Sequence, residues 1–297
     1  MKPNITVAIP FYNSIDYIED AIRLPLFDSR VNEIVICDDA SSDEQYQQLT
    51  NKINSLLNGE EISYDINYNL IEERNASSRP SVFYMTSQNV SEQSKKIVIY
   101  RNEKNLGGFA NKYETVKKST NDWVYLLDSD NFLVDCSIPS LYNIEEWNEE
   151  ICYCPSTLIM ERKDAWRAWD DWNHRRLGFE PIDLERIKLL FKIDSSFHSE
   201  HGCGLGVNGF LNTGNFFVNR NFYLNALDEA IENNIEPYAA DVIAFSYYWL
   251  TVGNMFKIVP DLYYYHRLRE DSFWNRTGGQ SGFEAQNYER MIINANA

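Results

Sequence analysis

The chain has 297 residues, 44% of them hydrophobic and 14% aromatic, which is ample for a packed core and excludes a disordered or fibrous chain. Its 27 lysines and arginines face 44 aspartates and glutamates, a net charge of −17. That balance excludes general nucleic-acid binding and a polybasic membrane anchor, although a local basic pocket can still hold a small anion.

Five cysteines (Cys37, Cys136, Cys152, Cys154, Cys203) are an odd number in a chain too large to need stapling. They read as reduced thiols of a soluble, cytoplasmic protein. The apolar start Ile5–Pro10 is too short for a signal peptide, and no window reaches the length of a membrane span.

In chain order, Ile5-Thr6-Val7-Ala8-Ile9-Pro10 is a β-branched strand closed by a proline. Asn13 and Ser14 can cap a helix through Ile15, Ile18 and Ile22, which Pro25 stops. A second strand, Glu33–Cys37, ends in Asp38-Asp39-Ala40-Ser41-Ser42-Asp43, with Asp43 placed to cap the next helix. The stretch Asn58–Lys96 is polar, with little periodicity, and reads as an irregular excursion. Ile97–Tyr100 is a third strand, followed by Asn102–Gly108 and a helix through Phe109, Tyr113 and Val116. A fourth, Trp123–Leu127, ends in Asp128-Ser129-Asp130. Continuously apolar strands alternating with helices predict an α/β fold with a mainly parallel sheet, whose ligands sit beyond the carboxyl ends of the strands.

The second half is less regular. Ala165–Phe191 reads as one or two helices, and His201–Gly209 as a glycine-dense loop that could close as a lid. Asn215–Val218 returns to strand, while Phe222–Asn233 and Asp241–Leu250 are helical. Two short strands, Phe256–Val259 and Leu262–His266, precede a polar tail.

Three strand ends carry functional chemistry. Asp128-Ser129-Asp130 presents two hard carboxylates that suit a divalent magnesium or manganese ion shared with a diphosphate, or else forms a plain aspartate turn. Asp38-Asp39 offers a carboxylate to a pyrimidine imide or a ribose hydroxyl, and is otherwise a turn. Asn105-Leu106-Gly107-Gly108 makes a tight loop whose backbone amides can lie beneath a nucleotide. It has neither the Gly-x-Gly-x-x-Gly of dinucleotide binders nor the Gly-Lys-Ser/Thr of phosphate loops. Trp166, Trp169 and Trp172 recur every third residue, either as core packing or as an aromatic platform for sugar rings beside Arg167, Asp170 and Asp171. Cys152-Tyr153-Cys154 has the wrong spacing for structural zinc.

Taken in order, Ile9-Pro10-Phe11-Tyr12-Asn13, Cys37-Asp38-Asp39-Ala40-Ser41-Ser42-Asp43, Asn105-Leu106-Gly107-Gly108-Phe109-Ala110 and Leu127-Asp128-Ser129-Asp130 resemble the signature of family 2 inverting glycosyltransferases with the GT-A fold. A weaker similarity runs through Asn212–Phe216, Asp241 and Tyr265-His266. The resemblance implies one continuous GT-A domain, with a Rossmann-like nucleotide-sugar half over 1–135 and an acceptor-binding half over 136–297.

It further implies that Asp39 holds the base between Pro10 and Tyr12, and that Asn105 lies in the nucleotide loop. Asp128 would lie near the ribose, with Asp130 on the metal (Mn2+ or Mg2+). His266 would be a further metal ligand or diphosphate contact, beside the cations Arg267 and Arg269. Asp241 corresponds to the general base, although the acid that usually precedes it is alanine here; Asp170 and Asp171 are rivals, and Trp166, Trp169 and Asp170 would face the acceptor. The expected activity is transfer of a sugar from a nucleoside-diphosphate donor, UDP-linked or related, to a saccharide or other hydroxyl. The alternatives are a nucleotidyltransferase and a non-catalytic nucleotide-sugar-binding module.

Overall fold

A computed structural model of the chain describes residues 2–58, 81–85, 95–162, 165–168, 174–201, 206–235, 237, 240–267 and 279–296. The chain begins with β1 (Ile5–Phe11), α1 (Ile18–Phe27), β2 (Val31–Asp38), α2 (Asp43–Asn58), β3 (Ser81–Met85), β4 (Lys95–Arg101), α3 (Gly108–Lys118) and β5 (Trp123–Leu126). It continues with α4 (Ser137–Tyr142), β6 (Ile151–Arg162), β7 (Ala165–Ala168), a 3-10 turn at His174–Leu177, α5 (Leu184–His201) and α6 (Val207–Leu211). β8 (Phe216–Asn219), α7 (Arg220–Glu232), α8 (Asp241–Thr251), β9 (Met255–His266) and α9 (Gly279–Asn294) follow.

The strands make one sheet in the order β3-β4-β2-β1-β5-β8-β6-β7, with β9 on β6. Its centre, β4-β2-β1-β5, is parallel as the alternation of strands and helices requires. Successive side chains of β1 point to opposite faces. Ile5, Val7, Ile9 and Phe11 join a core with Ile18, Ile22 and Leu26 of α1 and Leu49 and Ile53 of α2. Ala8 joins Val124 and Leu126 in a second core under Phe109 and Val116 of α3 and Phe245 and Trp249 of α8. Burial on both faces is why these strands are continuously apolar; each such side chain contributes roughly 1.5–3 kcal/mol.

The remaining strands add antiparallel pairs, β5 with β8, β8 with β6, and β6 with β7, while β9 runs parallel to β6. The β6–β9 register breaks once, so that Pro155 faces Val259 but Thr157 faces Tyr263. The two extra residues on β9 are Pro260 and Asp261, the latter at φ 61°. β9 is therefore one long strand with a bulge, where the sequence predicts two short ones.

Other local expectations are also corrected. Ala165–Ala168 is a strand paired to β6, with Trp166 opposite Glu161, so Trp166 lies on no helical face shared with Trp169 and Trp172. Pro25 sits within the last turn of α1, which ends at Phe27. Ser42, not Asp43, caps α2, its hydroxyl accepting from the Gln45 amide at 3.3 Å. Ser81–Met85 forms a strand on β4 inside the stretch read as irregular, and the polar tail contains α9. Residues 59–80, 86–94, 169–173 and 202–205 lie outside the described residues, and with them most of the excursion, Trp169, Asp170, Asp171 and Trp172, and the centre of the glycine-dense stretch, whose end at Val207–Gly209 belongs to α6. Among the described residues, no helix is long and apolar enough to cross a membrane.

Candidate active site

The carboxyl ends of β1, β2 and β5 open toward one crevice. Behind β2 the chain turns sharply, with Ala40 at φ 55°, and Asp39 N–H donates to the Phe11 carbonyl at 2.8 Å. This plants a buried Asp39 against the Asn105–Gly108 loop. Its Oδ1 accepts from Leu106 N (2.8 Å) and Asn102 Nδ2 (2.9 Å), and its Oδ2 from Gly107 N (2.9 Å). Asn105 closes the turn, donating to the Asp39 carbonyl and accepting from Gly107 N. Gly107 holds φ 85°, a conformation that costs glycine nothing and other residues a good deal. Burial raises the Asp39 carboxyl above the usual range, and the loop amides oppose the rise. Pro10 is the penultimate residue of β1, and Tyr12 stands at the mouth with 46% of its surface exposed.

The centre of the crevice is an ion cluster assembled from three elements. Lys112 of α3 lies with its Nζ 3.0 Å from Asp128 Oδ1, beyond β5, and 2.7 Å from Asp241 Oδ2, at the first turn of α8. The lysine side chain is only 12% exposed. Burial opposes its charge, yet the two carboxylates hold the ammonium well above its ordinary range. Asp128 experiences the reverse: burial outweighs the ammonium and pushes the carboxyl up to about 6. Asp241 is the first residue of α8, and the N-cap position is Ala240.

Two further groups complete the wall. A Cβ built on Gly214 would lie 2.5 Å from Asp128 Oδ2 and 3.1 Å from the Tyr264 hydroxyl, so only glycine fits between them. The Tyr264 hydroxyl meets His266 Nδ1 at 3.0 Å. Burial lowers the His266 pKa and favours the neutral imidazole, partly offset by the nearby Asp130 carboxylate. Asn131 ties this edge together, its amide oxygen accepting from Arg267 N.

Of the residues singled out in the sequence, Asp128 and Asp241 share one lysine, Asp130 faces His266 electrostatically, and Asp39 and Asn105 form one hydrogen-bonded loop. Arg267 lies at the flank, its Nη2 2.5 Å from Asp20 and its Nη1 3.4 Å from the Asp130 carbonyl. Trp166 is on β7, and Arg269, Trp169 and Asp170 lie outside the described residues. Lys112, Gly214 and Tyr264 were missed. Gly214 lies within the Asn212–Phe216 motif, and Tyr264 stands two residues before His266. Lys112 carried no signal beyond its place one turn after Gly108.

Residues 84–201 match the model of glycosyl transferase family 2. No curated protein sequence matches the chain. Among solved structures, S. aureus TarS 1–349 in complex with UDP-GlcNAc has a TM-score of 0.53 at 15% identity, over 99% of this chain and 68% of that one. GalNAc-T7 with UDP, GalNAc and Mn2+ has 0.57 at 14%, over 97% and 48%. The mannosyltransferase PcManGT from Pyrobaculum calidifontis, in complex with GDP-Man and Mn2+, has 0.54 at 9%, over 100% and 66%. The chain thus spans only part of each, from 48% to 68% of its length. At these identities the likeness is one of fold, the GT-A fold, and the glycosyl transferase family 2 match is confined to residues 84–201.

Proposed function

We propose that the chain moves a sugar from a nucleoside-diphosphate donor, UDP-linked or related, to a hydroxyl of a saccharide or similar acceptor, with inversion and with a divalent cation on the diphosphate. The observation that carries the reading is the meeting of Asp128 from the amino half (1–135) with Asp241 from the carboxyl half (136–297) around one buried ammonium. The donor sugars and nucleotides named in TarS, GalNAc-T7 and PcManGT support the substrate class.

In this reading the base of the nucleotide rests between Pro10 and Tyr12 and meets Asp39. That carboxylate has about four lone-pair positions. Three are taken by Asn102, Leu106 and Gly107, which leaves room for one imide N–H. Asp128 lies toward the ribose. Asp130 and a neutral His266 make an oxygen-and-nitrogen donor pair that fits manganese or magnesium, the other positions falling to diphosphate oxygens and water. Among the described residues no three His, Cys, Asp or Glu side chains cluster to hold a metal ion, so the proposed cation takes its remaining ligands from outside the protein. When bound, such a cation neutralises charge developing on the leaving diphosphate. Asp241 receives the proton of the acceptor hydroxyl while that oxygen bonds to the anomeric carbon and the carbon–oxygen bond to the diphosphate breaks.

Thermal unfolding with UDP, GDP and UTP, each with and without Mn2+, tests this. A ligand at about 100 times its dissociation constant stabilises by about 2.7 kcal/mol, and a nucleoside diphosphate should do so only with the metal. Asp130→Ala should remove the metal-dependent part and leave the unliganded protein folded. A preference for UTP would favour a nucleotidyltransferase. No response to any nucleotide would refute a donor site.

A further inference from the structure

Among the described residues, Lys112 is in direct contact with both Asp128 and Asp241, which lie on different halves of the crevice. Its surroundings are shaped for that reach. Gly108 sits one turn earlier on α3 and presents no side chain toward Asp241; a Cβ there would already stand 3.6 Å from Asp241 Oδ2. On the other side the constraint is strict: a Cβ on Gly214 would collide with Asp128 Oδ2 at 2.5 Å. Gly214 leaves Asp128 the room it occupies beside the lysine, and Gly108 lies in ordinary van der Waals distance of Asp241. The Asp241 side chain is 25% exposed, and the ammonium restrains a carboxylate otherwise free to change its side-chain torsions.

We propose that Lys112 is a positioning residue for the reaction, holding Asp241 Oδ2 so that Oδ1 faces the acceptor hydroxyl. The inference rests on the reading of Asp241 as the base. It makes the base depend on a side chain from the nucleotide-binding half, and Asp128 anchors that side chain from beneath. A well-placed base is worth about 10²–10⁴-fold in rate, and a loosely held one forfeits much of that. Lysine fits the role as a compact charge with three donors, enough to serve both carboxylates.

The test compares full-length wild type, Lys112→Met, Lys112→Arg, Asp241→Asn and the double variant Lys112→Met/Asp241→Asn. Release of UDP or GDP from UDP-glucose, UDP-GlcNAc, UDP-GalNAc and GDP-mannose is followed with Mn2+ and with water as acceptor. Lys112→Met should lower kcat by about 10²-fold while the donor KM stays within about threefold, and Lys112→Arg should recover part of kcat. If Lys112 acts through Asp241, the double variant should be no slower than Asp241→Asn alone. Should Lys112→Met fail to fold, Lys112→Gln carries the same comparison. Losses that multiply, a donor KM that rises at constant kcat, or a folded Lys112→Met as fast as wild type would each overturn the inference and leave the glycosyl-transfer reading standing. A wild type that releases nucleotide from none of the four donors would overturn the nucleotide-sugar reading, and the inference would fall with it.

Discussion

Gly214 shows how little space the crevice leaves at a single residue. Gly214→Ala should destabilise the protein by about 1–3 kcal/mol, because Asp128 and the Tyr264 hydroxyl must both retreat from the new methyl. The same shift would pull Asp128 away from Lys112, so nucleotide affinity measured calorimetrically with UDP and Mn2+ should fall as well. An alanine variant with unchanged melting temperature and affinity would show that the wall yields freely. At this scale the sequence was legible as to place: short motifs put Asp39, Asn105, Asp128 and Asp130 just beyond strand ends, where the structure has them. It was silent on Lys112, because a lysine in the middle of an amphipathic helix reads as a solvated position. Only the packing of α3 against the first turn of α8 turns it inward.

Among the elements, α1 is the least conventional, since it carries a proline in its last turn and no basic residue of its own there. Its carboxyl end is served from outside. Lys95, at the start of β4, is buried, and its ammonium donates to the carbonyls of Pro25 (2.7 Å), Leu26 (2.6 Å) and Asp28 (2.9 Å). Burial pulls this lysine down to about 7, yet three accepting carbonyls call for three N–H donors, and the negative end of the helix dipole favours the same protonated form. Lys95→Met should cost about 2–4 kcal/mol in urea unfolding, since it leaves buried carbonyls without partners. A loss under 0.5 kcal/mol, the range of an ordinary surface change, would mean that water replaces it readily. The parallel centre was readable from its apolar runs, each buried on two faces. β6 and β7 were not. Cys152, Tyr153 and Cys154 carry weak strand signals, and the tryptophan spacing beyond them mimics a helix, so pairing across the sheet overrode the local pattern.

For the molecule as a whole, two buried groups set opposing responses to acid. His174 is fully buried, with Nδ1–H donating to the Pro155 carbonyl at 2.8 Å, and burial pulls its pKa down to about 4. The unfolded chain binds this proton from pH 6.5 downward while the folded chain refuses it. Its stability contribution is therefore complete above pH 6.5 and is lost progressively toward pH 4, by on the order of 3 kcal/mol. Asp128, raised to about 6, works the other way: the folded protein takes up its proton first, and stability is regained as pH falls from 6 toward 3.8. Melting temperatures of wild type and His174→Gln across pH 7 to 4 should converge on acidification, because the variant lacks the histidine's share of the loss. Parallel curves would place the acid-sensitive group elsewhere. The bulge at Pro260 and Asp261 has a consequence of its own. Along β9, Leu262, Tyr264 and His266 share one side and Tyr263 and Tyr265 the other, so the spacing of this kink decides which rings lie beside Asp128 and Gly214. A backbone one residue shorter there would turn the imidazole to the opposite face and bring Tyr263 and Tyr265 round in its stead, inverting the last stretch of this strand alone.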